Sequence, residues 1–548
     1  MVIEKNFSID EFTYAHAGWL IADGAFPFRD FFSHHFPLSY YVFSLPFFTF
    51  DSDPSAIIYA RLLMLPFLVT IAIAVWLINR GLPLSWRFLS VLMVISSPNF
   101  AFFATEIRPD TLALASFLLA VALCSLENRS RFSLGFLIGF LLVVTIWFSE
   151  KAVVYSMFLV IALIYEWIQA HKKDIRINHL SNLPGVLTGF GCNILVIAFY
   201  MIATESLIPW IQFSLAYSIH HLGSSDGFSW SVYFRHSLIN DGWKIPFAIV
   251  GILLVIIPSF RKFEAGRDIL NKILVVSLLG SWLSYIIQTE PYPYSLLSFY
   301  VLVAIFAARG MAGFWCATDA LRTRFRVVLR SLSCLLPTVF GLCMNIVVVE
   351  ARLDRNNNYQ IDFLNRLKSI TNPTDPIYDN SGSFIARPHS NYFYFTNAFM
   401  RRSYAELLVN EIPMSIERTG TTVFIRDCRF DSLPLSLKSY LFDNFVPMDG
   451  NLWVWGRRFV PDRGGFAEGV FRVTQAGWFF IEPEEVVKEG SLHLDGKPLD
   501  DSLVHLQTGD HVVWYSGTSA EFFISWLPRD GKRFEINEKR EEEFAPLF

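Results

Sequence analysis

The 548-residue chain is 53% hydrophobic, with a mean hydropathy of +0.39 and 54 phenylalanines, a composition too apolar for a soluble protein of this size and suited to lipid-facing helices. Its formal charge of −4 argues against a nucleic-acid partner. Five of the six cysteines, Cys124, Cys192, Cys316, Cys334 and Cys343, fall in the apolar part and only Cys428 lies in the polar remainder, a spacing that builds neither a disulfide framework nor a metal cluster.

Residues 1–55 form a polar and aromatic first segment. Met1 to Asp10 holds no apolar run, so neither a signal peptide nor a first anchor is read there. Asp10 and Glu11 open a loosely amphipathic helix over residues 10–22, with Phe12, Trp19 and Leu20 available to the membrane. A carboxylate at a lipid interface can serve as a base toward an acceptor hydroxyl. Ser8-x-x-Glu11 is also a capping box, which gives Glu11 a purely structural alternative. His34 and His35 follow in an aromatic stretch, where packing competes with metal ligation.

Ten apolar segments are predicted to span a membrane, at 56–80, 85–103, 110–126, 133–149, 152–168, 184–205, 245–260, 270–288, 295–314 and 327–349, the second interrupted by Pro98. The odd-numbered loops between them hold fourteen basic residues, from Arg80 to Arg326, and the even-numbered loops hold four, Arg108, Lys151, Arg235 and Lys244. Positive charge stays inside, so the odd loops are expected in the cytoplasm. Residues 1–55 and everything after Glu350 are then expected outside it.

Three outer loops carry candidate chemistry. Glu106-Ile107-Arg108-Pro109-Asp110 places ionisable groups at a membrane boundary, where function is the default reading; Asp110 could equally cap the following helix. The 206–244 loop holds His220, His221, Asp226, Arg235, His236 and Asp241 without a zinc spacing, and Arg235 could fork onto a phosphate. Gln288 to Tyr294, including Tyr292 and Tyr294, reads as an interfacial aromatic belt or as the wall of a groove for a lipid carrier.

The tail changes character. Residues 350–460 mix helical patterns with short strands, as in a small α/β unit, and residues 461–548 alternate as a β-sandwich, here expected to fold separately. The charged stretch Glu535 to Glu543 reads as solvated.

The first segment, Asp10-Glu11-x-x-Tyr14, Asp23-Gly24-x-x-Pro27-Phe28-Arg29-Asp30-Phe31-Phe32 and His35-x-Pro37-x-x-Tyr40, resembles the first extracytoplasmic loop of GT-C glycosyltransferases. The nearest branch resembles the bacterial relatives of protein O-mannosyltransferases and of the aminoarabinose transferases that modify lipid A. Glu106–Asp110 and Gln288–Tyr294 resemble that fold's second acidic and later outer-face motifs. The likeness covers residues 10–314 and reaches the tail only loosely.

The resemblance implies an all-α polytopic membrane domain at 56–349, with a further helix expected ahead of Asp10, followed by an extracytoplasmic α/β and β-sandwich tail. It implies an inverting transfer of sugar from a polyprenyl-phosphate carrier to a lipid, glycan or protein acceptor. The place is the outer face of a bacterial cytoplasmic membrane. Asp10, Glu11 and Asp110 would be the catalytic acids, facing one cavity; Glu106, Arg108, Arg235, Tyr292 and Tyr294 would bind the donor. A divalent cation is the one cofactor to consider, with Asp10, Asp110, His34 and His35 as weak ligand candidates. The competing class is a non-catalytic transporter or flippase of lipid-linked sugars. It would place its ionisable groups at the bilayer midplane and show internal repeats.

Overall fold

Each of the ten apolar segments carries helix in the computed structural model, which describes residues 3–50, 53–126, 131–172, 183–222, 231, 234, 235, 238, 241–256, 268–289, 291–318, 323–353, 356–488 and 492–531. The chain divides into two compact units. One comprises Met1–Lys5, Ser33–Phe43 and Ile58–Asn356; the other comprises Asn6–Phe32, Ser44–Ile57 and Asn357–Phe548. Most of the first segment, with helix α1 (Ile9–Ala22), therefore folds in the same unit as the tail.

The first unit is helical. Its main helices are α2 (Met64–Ile78), α3 (Leu84–Ile95), α4 (Pro109–Leu123), α5 (Arg131–Phe148), α6 (Ala152–Lys172), α7 (Leu183–Ala203), α8 (Ile245–Ile256), α9 (Asp268–Ile286), α10 (Leu297–Ala317) and α11 (Leu336–Leu353). Among the described residues four stretches are long and apolar enough to cross a membrane: Ala56–Ile78, Ala152–Gln169, Leu183–Ala203 and Pro293–Cys316. The other apolar helices are shorter. Pro98 does interrupt the second segment: α3 stops at Ile95, and a new helix starts with Pro98 in its first turn and the Ser97 hydroxyl accepting the Phe100 N–H at 3.3 Å.

Exposure sorts these helices. Pro293–Cys316 lies mostly inside the protein, whereas Leu183–Ala203 lies mostly at its surface. The latter turns Leu187, Leu195, Val196, Phe199 and Ile202 outward, an apolar surface that water would penalise and lipid would not. Polar glue holds the enclosed helix: the buried Arg309 of α10 donates to Asn79 Oδ1 at 2.9 Å and to the Ile78 carbonyl at 3.0 Å, at the C-terminal end of α2.

Glycines set how near the helices come, because lipid supplies no hydrophobic force between them. A Cβ at Gly139 of α5 would overlap the Val186 carbonyl of α7, and one at Gly310 of α10 would overlap the Phe247 carbonyl of α8. Gly310→Leu should therefore force α8 and α10 apart, destabilising the protein by about 3 kcal/mol or more. The check is the thermal unfolding midpoint in detergent; an unchanged midpoint would contradict this packing.

The second unit surrounds two sheets. After α12 (Asn358–Ile370) come β1 (Ile377–Tyr378), α13 (Ala405–Thr419), β2 (Val423–Ile425), α14 (Leu435–Asn444), β3 (Phe445–Asp449) and β4 (Leu452–Phe459). Then follow β5 (Phe466–Val473), β6 (Gly477–Glu482), β7 (Leu492–Leu494), β8 (Lys497–Pro498), β9 (Leu503–Leu506), β10 (Gly509–Ser516) and β11 (Phe522–Trp526). The larger sheet runs β1-β2-β4-β11-β6-β9 with β3 also on β4, and the smaller runs β5-β10-β7-β8. β1 and β2 pair in parallel, with α13 as the crossover, and the remaining pairs are antiparallel.

The alternation seen in the sequence is the core pattern. β5 buries Ala467, Phe471 and Val473 while Val470 stays exposed, and Phe471 meets Phe479 of the larger sheet with ring centroids 5.5 Å apart. β11 is buried along its whole length, as its place between β4 and β6 requires. The expected boundary at residue 460 falls inside this structure. β4, before it, hydrogen-bonds β11, after it, from Phe459↔Phe522 to Gly456↔Ser525.

Candidate functional site

The acidic pair Asp10-Glu11 lies in the first turn of α1. Glu11 is fully buried, and its Oε2 accepts the Ser8 backbone N–H at 3.0 Å. That is the helix-capping role the spacing offered, and it leaves the Glu11 carboxylate inside the protein. Asp10 differs: its side chain is 28% exposed and meets the Arg429 guanidinium at 3.4 Å.

Tail residues hold α1 from its start. Gln360 clamps the backbone of Phe7, accepting its N–H at 2.6 Å and donating to its carbonyl at 3.0 Å. Thr13 donates to the Ser381 carbonyl at 2.8 Å, and Tyr394 OH to the Thr13 carbonyl at 3.3 Å. His16 Nδ1 lies 2.6 Å from the Ile385 carbonyl, so that nitrogen carries the proton. Burial drops His16 to about 3, which keeps it neutral. Gly382, at φ +67°, lies so close to His16 that a Cβ there would be 2.9 Å from the His16 Cβ.

The loops after β1 and β2 form a buried knot. Asp379 accepts the backbone N–H groups of Ser381 at 3.1 Å, Gly382 at 2.8 Å and Ser383 at 2.7 Å. Burial pushes its carboxyl up, but His389 and Ser383 hold it below the ordinary carboxylate range. Asp427 accepts the N–H groups of Asn380 and Arg429, each at 3.0 Å, and the Ser381 hydroxyl. Burial and the neighbouring Asp379 raise Asp427. Arg429 leaves this knot with one arm donating to the Asn380 carbonyl at 3.1 Å and the other on Asp10.

The helical unit assembles the second acidic motif. Glu106 is buried between two cations, Lys5 and Arg108, and Arg108 Nε donates to it at 2.5 Å. The guanidinium of Arg108 sits 4.0 Å from the ring centroid of Tyr294, and Lys151 Nζ sits 4.6 Å from the same ring. Tyr292 stacks on Tyr294 at 5.5 Å. Asp110, in the first turn of α4, meets Lys151 at 3.8 Å and Ser149 at 3.5 Å. The side chains of Asp110 and Lys151 are 13% and 20% exposed, so this pair can still be reached from outside.

Nearby, His35 Nδ1 lies 2.7 Å from Glu150. Burial raises the Glu150 carboxyl, but His35 and Lys151 bring it below the ordinary range. His34 lies tilted against His35, with ring centroids 3.7 Å apart, and meets Tyr217. Arg235 and His220 are exposed. Asp226 and His236 lie outside the described residues. Among the described residues no three His, Cys, Asp or Glu side chains gather as a metal site would require.

Four polar residues escaped the reading of the sequence as site candidates: Lys5, Glu150, Lys151 and Arg429. Lys151 stood out only as a basic residue in an outer loop. Arg429 had a signal, Asp427-Cys428-Arg429 one residue beyond a short strand, where α/β sheets place their polar loops.

No family model matches the sequence, and no curated protein does. Solved structures do match. ArnT from Cupriavidus metallidurans in the apo state superposes with a TM-score of 0.54 at 10% identity, over 82% of this chain and 94% of that one. The same protein bound to undecaprenyl phosphate gives 0.52 at 11% identity, over the same shares. The apo oligosaccharyltransferase of Archaeoglobus fulgidus follows at 0.49 and 12% identity, over 81% of this chain and 69% of that one. With its bundle of apolar helices followed by a strand-rich region, the chain has the GT-C fold of ArnT.

Proposed function

We propose that this chain is a glycosyltransferase that moves a sugar, with inversion, from a polyprenyl-phosphate carrier to a hydroxyl of an envelope lipid, glycan or protein. The setting is the outer face of a bacterial cytoplasmic membrane, with the tail on that side. The ArnT fold supports the reaction class, and the undecaprenyl phosphate bound to ArnT supports the kind of carrier. The fourteen basic residues of the odd loops support the orientation. The observation that carries the reading is the division of labour in the acidic pair: Glu11 is consumed in capping, while Asp10 is partly exposed and held by Arg429.

In this reading the acceptor hydroxyl lies in line behind the anomeric carbon and gives its proton to Asp10 as it attacks. The bond from that carbon to the carrier phosphate breaks, and its electron pair leaves with the phosphate. Within the helical unit, Lys151, held by Asp110 and the Tyr294 ring, is a reachable positive charge of the kind that binds a phosphate. Glu106 keeps Arg108 oriented against Tyr294, and Tyr292 extends the aromatic wall. Arg235, exposed, remains a further phosphate contact.

Mass spectrometry of the host's envelope glycans, lipids and glycoproteins, with and without this gene, tests the proposal. One sugar mass should disappear from an acceptor in the deletion and return on complementation. An envelope unchanged in all three fractions would overturn it.

A further inference from the structure

We propose that Arg429, on the tail loop after β2, is the positioning residue for Asp10, which makes the tail part of the machinery that activates the acceptor. The inference rests on the reading of Asp10 as the base. Three features carry it. The first is the reach of Arg429: its guanidinium spans from the Asn380 carbonyl at 3.1 Å to Asp10 Oδ1 at 3.4 Å. With one nitrogen anchored on that carbonyl, the planar group holds its other nitrogen at a set place beside the carboxylate, whereas a lysine ammonium is a single point charge.

The second feature is how firmly Arg429 is rooted. Its backbone N–H donates to Asp427, which is fully enclosed and also accepts Asn380 N–H and the Ser381 hydroxyl. The Asn380 carbonyl that receives the guanidinium belongs to the same knot, so both ends of the arginine are tied to one rigid point. The third is that α1 is docked on this knot independently, through Thr13 on Ser381 and His16 on Ile385. The backbone of Asp10 and the cation that aims its carboxylate thus share one reference frame. A surface ion pair at 3.4 Å would contribute little stability; its worth here is orientation.

The test uses the full-length protein in detergent and two readouts. The first is labelling of Asp10 by a water-soluble carbodiimide, read by peptide mass spectrometry, which requires no turnover. Arg429→Met should label at Asp10 several-fold faster than wild type, because the guanidinium no longer covers the carboxylate. The second is transfer from a purified polyprenyl-phosphate sugar. Arg429→Met should lower kcat about 10–30-fold with the donor KM nearly unchanged. Arg429→Lys should recover only part of that, and added guanidinium should restore part of the rate of Arg429→Gly. In the Asp10→Asn background, Arg429→Met should cost almost nothing more.

Equal labelling of Asp10 in wild type and Arg429→Met overturns the proposal whether or not transfer is seen. So does full activity of Arg429→Met in an active preparation, and in that case the glycosyltransferase reading stands. Should Arg429→Met fail to fold, Arg429→Lys carries both readouts: labelling and kcat equal to wild type would overturn the proposal. Absence of transfer by wild type, with faster labelling in the variant, removes the reaction and leaves the contact.

Discussion

Asp10→Asn should lower turnover by about 100-fold or more while donor binding barely changes. The substitution keeps the shape of the side chain and its place on α1. It removes the group that takes the proton and the charge that Arg429 engages. Glu11→Gln, one residue along, should behave differently. Its carboxylate is buried on the Ser8 N–H, so the loss should appear in stability, at about 1 kcal/mol, with turnover per folded molecule close to wild type. Kinetics on folded, detergent-solubilised protein separate the two acids. Normal turnover in Asp10→Asn would remove Asp10 from the mechanism.

Glu106→Gln should destabilise the helical unit by about 3–5 kcal/mol. Glu106, Lys5 and Arg108 are each at most 2% exposed, so neutralising the carboxylate strands two cations away from water. The Lys5 ammonium also lies 3.2 Å from the Phe102 ring centroid and donates to the Phe102 carbonyl at 3.2 Å, contacts that cannot replace the lost charge. The thermal unfolding midpoint should fall well below that of wild type, and Lys5→Met added to Glu106→Gln should recover part of the loss. Donor affinity should weaken as well, because Glu106 aims Arg108 at Tyr294. A Glu106→Gln protein as stable as wild type would contradict the buried triad.

These two expectations draw on different depths of sequence information. The apolar runs announce helices because a chain in lipid must satisfy its backbone internally, and each of the ten runs does carry helix. The Ser8-x-x-Glu11 spacing announces a cap because both partners lie within one turn, and Glu11 does bond to Ser8. The β-alternation of residues 469–473 and 511–515 likewise appears as paired strands, with His511↔Phe471 in register.

What the sequence concealed is long-range. Gln360 clamps Phe7 across 353 residues and Thr13 reaches Ser381 across 368, and such pairings leave no periodic trace. The partnership of β4 with β11 is equally silent, which is why a boundary at residue 460 looked natural although the sheet runs through it. Lys5 looked like part of a featureless start until its ammonium met Glu106 in the helical unit. The pairing of Arg429 with Asp10, 419 residues apart, belongs to the same class.

Sugar transfer from a lipid carrier is read by following donor and acceptor in one reaction. Purified protein in detergent is given a polyprenyl-phosphate sugar labelled in the sugar, together with an extract of envelope acceptors. Release of polyprenyl phosphate and gain of label by an acceptor are followed in the same samples. The two should rise together, one for one, with the opposite anomeric configuration in the product, and both should be lost in Asp10→Asn. Donor that stays intact with acceptor, while the same protein in vesicles carries it from one leaflet to the other, would rule out sugar transfer and make the protein a transporter.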